Sequence, residues 1–394
     1  MTKFRQTGFS HGLPMILLIS ILYPLGPAAV ILAPLIVGGV IDEYGFTDEQ
    51  AGLIASMDGL GLVIGLLAGA LWVRKVSWPK MLLLALAAYA AANVLSTAGQ
   101  TAGALVAMRI LCGFCGGSVF AIINAALGDN RQPDRAFGIA QSVQGVMMFA
   151  AFASVPLMSE GRLVNSLFFL LAGAAVVLML CVLRFPHQGV VTTAERPDTG
   201  GAAGHRVLIW IGLTGGLLYY ASVFGFWAWI ERIGVNAGLD RSAVDFALSI
   251  SQIAAVAGGL AAGLAGDRFG RIAPLVCAAA GQLAVLWLLL GGFSAATYLV
   301  GASLYQGLYI IGTSYLLGVI ARLDRSGKYV VVMNGVLGIG VAVGPSIAAR
   351  LIQPGDYSSV NLAASAGIVL TLVLFLFVIY LSREITNRRS SSAR

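Results

Sequence analysis

The sequence predicts an all-α membrane protein with twelve transmembrane helices in two pseudo-symmetric six-helix bundles. Three observations carry that prediction. Of 394 residues, 58% are hydrophobic and only 10% are charged, with a mean hydropathy of +0.89, whereas a soluble domain keeps about 25% of its residues charged to wet its surface. Apolar stretches recur along the whole chain, too long and too continuous for the alternating strands of a membrane barrel. One polar stretch near the middle divides them into two sets of six. A soluble enzyme, a nucleic-acid-binding module and a disordered chain are thereby excluded as the main body.

A helix needs about 20 residues to cross the hydrocarbon core. The apolar stretches run over 13–41, 47–73, 79–99, 102–128, 134–159, 163–184, 207–230, 241–266, 272–293, 296–321, 328–352 and 357–382. The first holds Pro14, Pro24, Pro27 and Pro34 and is expected to bend, because each proline removes a backbone donor. Such a bend suits a span whose freed carbonyls face neighbours or water. That span is too long for a signal-peptide core and no small-residue cleavage site follows it, so it is expected to be retained. Gly335, Gly338, Gly340 and Gly344 in the eleventh span admit close helix contact.

The formal net charge is +7, and the placement of the charges explains it. With a cytoplasmic N-terminus, 19 of the 24 lysines and arginines fall on inner segments, from Lys3 and Arg5 through Arg74, Lys75, Lys80, Arg131, Arg196, Arg325 and Lys328 to Arg394. Arg162, Arg232, Arg241 and Arg350 fall outside, and Arg109 lies within a span. This asymmetry is the positive-inside rule. It predicts an inner (plasma) membrane protein with both termini cytoplasmic, and it accounts for the basic excess without a nucleic-acid partner.

Cys112 and Cys115 form a C-x-x-C, but they sit among Gly113, Gly116 and Gly117 in an apolar span and read as small packing residues. Cys181 and Cys277 also lie in spans, and His11, His187 and His205 lie in the tail and the central polar stretch. No metal ligand set, nucleophile–base pair or phosphate loop is visible, so neither enzymatic activity nor a metal or cofactor is expected. A monomer is the expected unit.

The polar stretch 185–206, FPHQGVVTTAERPDTGGAAGHR, reads as a cytoplasmic linker between bundles at 1–184 and 207–394. An offset of 194 residues brings Leu105, Val106 and Gly113 onto Leu299, Val300 and Gly307, and Gly65, Gly69 and Arg74 onto Gly259, Gly263 and Arg268. Two helices agreeing on one spacing point to an internal duplication. Because the offset carries an even number of spans, the halves are parallel repeats.

GLAGDRFGR, Gly263 to Arg271, resembles the G-x-x-x-D-R-x-G-R loop motif of the major facilitator superfamily. Arg109, followed by Gly113, Gly116 and Gly117, is similar to that family's arginine-and-glycine motif in the fourth span. With the span count, linker and duplication, the resemblance covers essentially the whole chain. It implies a secondary transporter whose halves rock about a midplane site, with spans 1, 4, 7 and 10 lining a central cavity. It also implies a cytoplasmic charge network at Asp267, Arg268 and Arg271. The first-half loop departs from the motif, with Val73 at the Asp position and Ser77 at the final Arg. The fifth span lacks the Gly-Pro pair of the resembling antiporters, and Gly344-Pro345 stands in the eleventh instead. Both departures weigh against a drug/proton exporter.

Ionisable residues inside spans mark the candidate site. At about 1.5 Å rise per residue, Asp58 lies roughly 16 Å and Arg109 roughly 11 Å from the outer side, similar depths. An ionisable group at the bilayer centre costs at least about 2.5–3.5 kcal/mol and usually finds a partner, so Asp58 and Arg109 are expected to meet. Their pairing reads either as a structural ion pair or as a switch, in which protonating Asp58 releases Arg109 for an anionic ligand. The offset maps them onto uncharged Gln252 and Ser303. Glu231 reads either as an interfacial charge anchored by Trp227 and Trp229 or as an outer gate or second proton site. Tyr23, Gln144, Tyr220, Gln252, Tyr305, Tyr309 and Asn334 are candidate substrate contacts, Tyr305 and Tyr309 being i,i+4 on one face.

The functional expectation is a proton-coupled symporter of a small organic solute, an anion such as a carboxylate being favoured by the lone arginine. Its partners are that solute, the proton and the lipid bilayer. The alternative is a proton-driven exporter of amphipathic compounds. A channel or receptor is the competing class, and counterflow separates it.

Overall fold

The computed structural model describes residues 12–99, 101–130, 132–157, 162–186, 203–324 and 328–392. Lys3, Arg5, His11, Arg131, His187, Arg196, Arg325, Arg394 and most of the 185–206 linker lie outside them. The described chain is all helix, its one β-type pairing being the isolated Gln353–Asp356 bridge.

The first crossing is broken into α1 (Leu13–Leu22), a 3-10 turn (Tyr23–Leu25), α2 (Ala28–Ile31) and α3 (Ala33–Tyr44). The prolines mark the joints. Pro24 lies in the 3-10 turn, Pro27 caps α2, and Pro34 opens α3. Gly45, at φ 69°, ends α3 in the left-handed region that a side chain disfavours. There follow α4 (Asp48–Trp72), α5 (Trp78–Ser96), α6 (Ala102–Gly128), α7 (Pro133–Ala153) and α8 (Leu163–Val182). Thr47 and Gln50 start α4 with a reciprocal capping box.

The remaining helices are α9 (Ala203–Asn236), α10 (Arg241–Ala265), α11 (Ile272–Leu288), α12 (Ala295–Leu323), α13 (Lys328–Ala349) and α14 (Ser358–Ser392). Among the described residues ten helices are long and apolar enough to cross a membrane, and two shorter apolar helices, Leu13–Leu25 and Ile272–Leu288, occupy the first and ninth positions. Side chains such as Leu71, Leu180 and Leu264 are 69–76% exposed, an outer face that only lipid would cover.

Two helices run past their expected ends, α9 to Asn236 and α14 to Ser392, and three expected spans are broken or cut short. The first is a string of short helices, for the proline reason above. The fifth ends at Ala153 and not 159, with a separate 3-10 turn at Val155–Leu157. The ninth ends at Leu288 and not 293, because Gly291 and Gly292 follow within a turn.

The chain forms two compact units, Met1–Ala194 and Glu195–Arg394. In the first, α4 packs on α6, and α5 on α6 and α8; in the second, α10 packs on α12, and α9 on α13 and α14. Shifted by 194 residues, α4, α5, α6 and α8 fall on 242–266, 272–290, 296–322 and 357–376, within two residues of where α10, α11, α12 and α14 begin.

Candidate functional site

In the N-terminal unit the α4–α6 crossing is made by glycine. A Cβ on Gly113 would overlap the Asp58 carbonyl oxygen, and one on Gly61 would overlap that of Ile110. The two backbones therefore touch. Arg109, one turn before Gly113, and Asp58, nearly one turn before Gly61, are brought face to face inside the unit. Asp58 Oδ1 lies 3.9 Å from Arg109 Nη1, and both side chains are buried, at 2% and 0% exposure.

That separation is an ion pair without a hydrogen bond. Neither carboxylate oxygen of Asp58 has a hydrogen-bond partner among the described residues, and neither have Arg109 Nε and Nη1. The bonded end of the guanidinium is Nη2. It donates to the Ser96 hydroxyl, to Asn93 Oδ1 at 3.2 Å and to Cys112 Sγ at 3.1 Å. Phe168 of α8 covers the guanidinium, 4.2 Å from its ring centroid, a cation–π contact. The Tyr89 hydroxyl is also buried and unbonded.

In the C-terminal unit the equivalent positions are neutral. Gln252 is buried and donates to the Ser251 hydroxyl at 3.3 Å, and the Ser303 hydroxyl has no partner among the described residues. The charge in this unit lies nearer the helix ends. Glu231 is 2% exposed and meets Arg241 Nη2 at 3.4 Å. Trp227 and Trp229 are buried, and Trp229 Nε1 donates to the Pro345 carbonyl at 3.3 Å. They are therefore not interfacial anchors, because indole rings turned inward have no headgroup to meet.

The aromatic candidates separate. Tyr220, Phe224 and Tyr309 form a half-buried cluster, with Tyr309 edge-on to Tyr220 at 5.8 Å and to Phe224 at 5.5 Å. Tyr305, one turn before Tyr309, is fully buried with its ring 4.6 Å from Phe226. The pair does not present one exposed face, because the rotation between them turns Tyr305 into the bundle. Tyr23 is buried against Phe120 of α6, with ring centroids 4.9 Å apart. Gln144 is half-buried with Oε1 unbonded among the described residues, and Asn334 is exposed.

At the helix ends, Asp267 binds Arg322 at 2.8 Å and Arg271 at 3.4 Å, tying the α10–α11 turn to the end of α12. Arg268 is exposed. Arg74 binds Asp129 at 2.5 Å.

The Major Facilitator Superfamily description matches residues 16–236 and 212–394. The chain belongs to the Major Facilitator Superfamily. It is 24% identical over 370 residues to the 3-(3-hydroxy-phenyl)propionate transporter of Escherichia coli (strain K12), covering 88% of this chain and 89% of that protein. Among solved structures, the nucleoside transporter NupG superposes with a TM-score of 0.75 at 15% identity, over 92% of this chain and 98% of that one. The D-xylose-proton symporter superposes at 0.73 with 11% identity, over 91% and 97%. This major facilitator protein is thus a multi-pass membrane protein and a secondary transporter of small solutes, and it is not an enzyme.

Sequence reasoning missed several of the residues around this major facilitator's buried charges. Tyr89, Asn93 and Ser96 form a polar stripe at i, i+4 and i+7 in an alanine-rich span, a signal that was available. Asp245, 4% exposed with Oδ1 unbonded among the described residues, is a buried carboxylate one turn into α10 that the span reading passed over. Glu43 accepts from the backbone N–H groups of Leu163 and Val164 at the start of α8, a cap no local pattern announces.

Proposed function

We propose that this transporter moves a small organic anion together with a proton, a carboxylate bearing an aromatic ring being the favoured class, and that it imports by symport through alternating access with both termini cytoplasmic. The observation that carries this reading is the buried Asp58–Arg109 pair without a hydrogen bond between its members. An ionised carboxylate unbonded in an apolar interior is costly, and it is relieved either by closing on Arg109 or by taking up a proton. In the first case Asp58 holds the guanidinium. In the second, Arg109 is free to exchange its neutral partners for an anionic substrate, whose carboxylate matches the guanidinium fork. One arginine thus answers to proton and substrate in turn.

The aromatic preference draws support from the half-buried cluster of Tyr220, Phe224 and Tyr309, which suits edge-to-face packing on a ring. It also draws support from the Escherichia coli relative, named for an aryl carboxylate. Gln144, Gln252 and Asn334 are proposed as lesser polar contacts, Glu231 as a second proton site, and Asp267 with Arg268 and Arg271 as the cytoplasmic gate.

Uptake of radiolabelled 3-phenylpropionate into proteoliposomes with an alkaline interior tests the reading. Accumulation abolished by a protonophore is expected, with D58N losing accumulation and keeping counterflow. Accumulation indifferent to the pH gradient and to D58N overturns it. Depletion of amphipathic compounds from cells, in place of accumulation, marks the exporter.

A further inference from the structure

Arg109 does not wait beside Asp58 at random; its bonded end is seated. Asn93 Nδ2 donates to the Tyr89 carbonyl at 2.9 Å, and the Ser96 hydroxyl donates to the Ala92 carbonyl at 2.7 Å, each one turn back on α5. The one donor of the hydroxyl is thereby used and the amide is oriented by its NH2 group, so the atoms turned toward Arg109 are acceptors, the amide Oδ1 and the hydroxyl oxygen. Phe168 closes the seat with its ring face. Two oriented oxygens and a π face make a neutral guanidinium site, 3.9 Å short of a charged one.

We propose that Asn93, Ser96 and Phe168 are the resting seat of Arg109 when Asp58 carries its proton, and that Asn93 and Ser96 are positioning residues that set the pH at which the pair opens. This rests on the coupling role given to Asp58 and Arg109. The seat competes with the carboxylate for one cation, so each oxygen removed from it favours the closed, ionised pair. Proton uptake by Asp58 then requires a lower pH. The assignment also explains the choice of arginine, since a guanidinium reaches seat and carboxylate through different nitrogens and an ammonium has no such fork.

The other titratable groups around Arg109 either have partners of their own or are phenols and thiols. From α3, Glu43 is bound to the N–H groups of Leu163 and Val164, and the Tyr44 hydroxyl donates to Asn165 at 2.6 Å. From α5 comes the Tyr89 phenol, and from α6 the Cys112 and Cys115 thiols. Ordinary phenols and thiols ionise only near about 10 and 8.5.

The test reads the carboxylic acid directly, without substrate. Infrared difference spectra of the purified protein are recorded across pH, and the protonated-carboxyl band that D58N removes is assigned to Asp58. A hydrogen bond to a charged group outweighs one pKa unit of free energy, so the midpoint of that band is expected to fall by about one pH unit in S96A and again in N93A. S96T, which keeps the hydroxyl, is expected to restore it. An unchanged midpoint in both S96A and N93A, with wild-type melting behaviour, overturns the seat and leaves the coupling role standing. A spectrum in which D58N removes no titrating band overturns both.

Discussion

Arg74 holds Asp129 through both terminal guanidinium nitrogens, Nη1 to Oδ2 at 2.5 Å and Nη2 to Oδ1 at 2.8 Å, across 55 residues of sequence. Asp267 and Arg322 are also 55 residues apart and make a bridge of opposite polarity between the like helix ends of the second unit. In the first unit the cation follows α4 and the anion follows α6; in the second the anion follows α10 and the cation ends α12. Each unit ties the same two helix ends, but not through equivalent residues, since the 194-residue offset puts Arg74 on Arg268 and Asp129 on Leu323. Both bridges are partly solvated, so each contributes no more than about 1 kcal/mol to stability, and their effect lies in holding helix ends together.

Charge reversal tests that role. Like charges at this site replace an attraction with a repulsion of similar size, so R74D or D129R alone is expected to lower uptake measurably. The double variant R74D/D129R is expected to recover most of it. Proteoliposome uptake at constant protein density measures this, and equal activity in the single and double variants refutes the tie.

The buried pair behaves differently from these surface ties. Removing one member of a buried ion pair strands the other and costs about 3–5 kcal/mol, whereas removing both is often close to neutral. R109A is therefore expected to melt well below wild type. R109A combined with D58N is expected to regain much of the loss while remaining inactive in accumulation. Thermal unfolding of the four proteins in one detergent completes the cycle, and additive losses would mean that Asp58 and Arg109 do not interact.

Glu231 poses a narrower question, because its carboxylate is 2% exposed while Arg241, which it meets at 3.4 Å, is 42% exposed. Tyr298 lies beside it, donating to the Ile230 carbonyl at 2.8 Å. E231Q keeps the shape and removes the charge. It is expected to flatten the pH dependence of uptake without changing the yield of folded protein, with D245N as its companion. A rate and pH profile identical to wild type would remove Glu231 from the mechanism.

Much of this architecture was legible in the residues themselves. Span positions follow from apolar length, and the proline joints of the first crossing follow from Pro24, Pro27 and Pro34. The meeting of Asp58 and Arg109 follows from two charges at similar depth in one half. What was hidden depends on helix rotation. Whether Trp229 faces lipid or the Pro345 carbonyl, and whether Tyr305 shares the exposure of Tyr309, is decided by which neighbour a helix turns toward, and low amphipathicity leaves that open in a lipid-covered bundle. The seat of Arg109 was hidden for a related reason. Asn93 and Ser96 bond locally to α5, and only packing against α6 turns their remaining oxygens into a site.

The α4–α6 crossing gives a last test, since everything at the buried pair depends on two backbones in contact. A methyl at Gly113 would collide with the Asp58 carbonyl, which belongs to backbone and cannot swing aside. Overpacking of this kind costs about 1–3 kcal/mol, and relieving it by parting the helices would also part Asp58 from Arg109. G113A is therefore expected to lower both thermal stability and coupled accumulation. Gly103 lies in the same helix with nothing within 4 Å of its added Cβ. G103A is expected to be neutral or slightly stabilising, because alanine leaves the unfolded chain fewer conformations to lose than glycine does. Equal melting and equal accumulation in G113A and G103A would show that the close crossing does not position the pair.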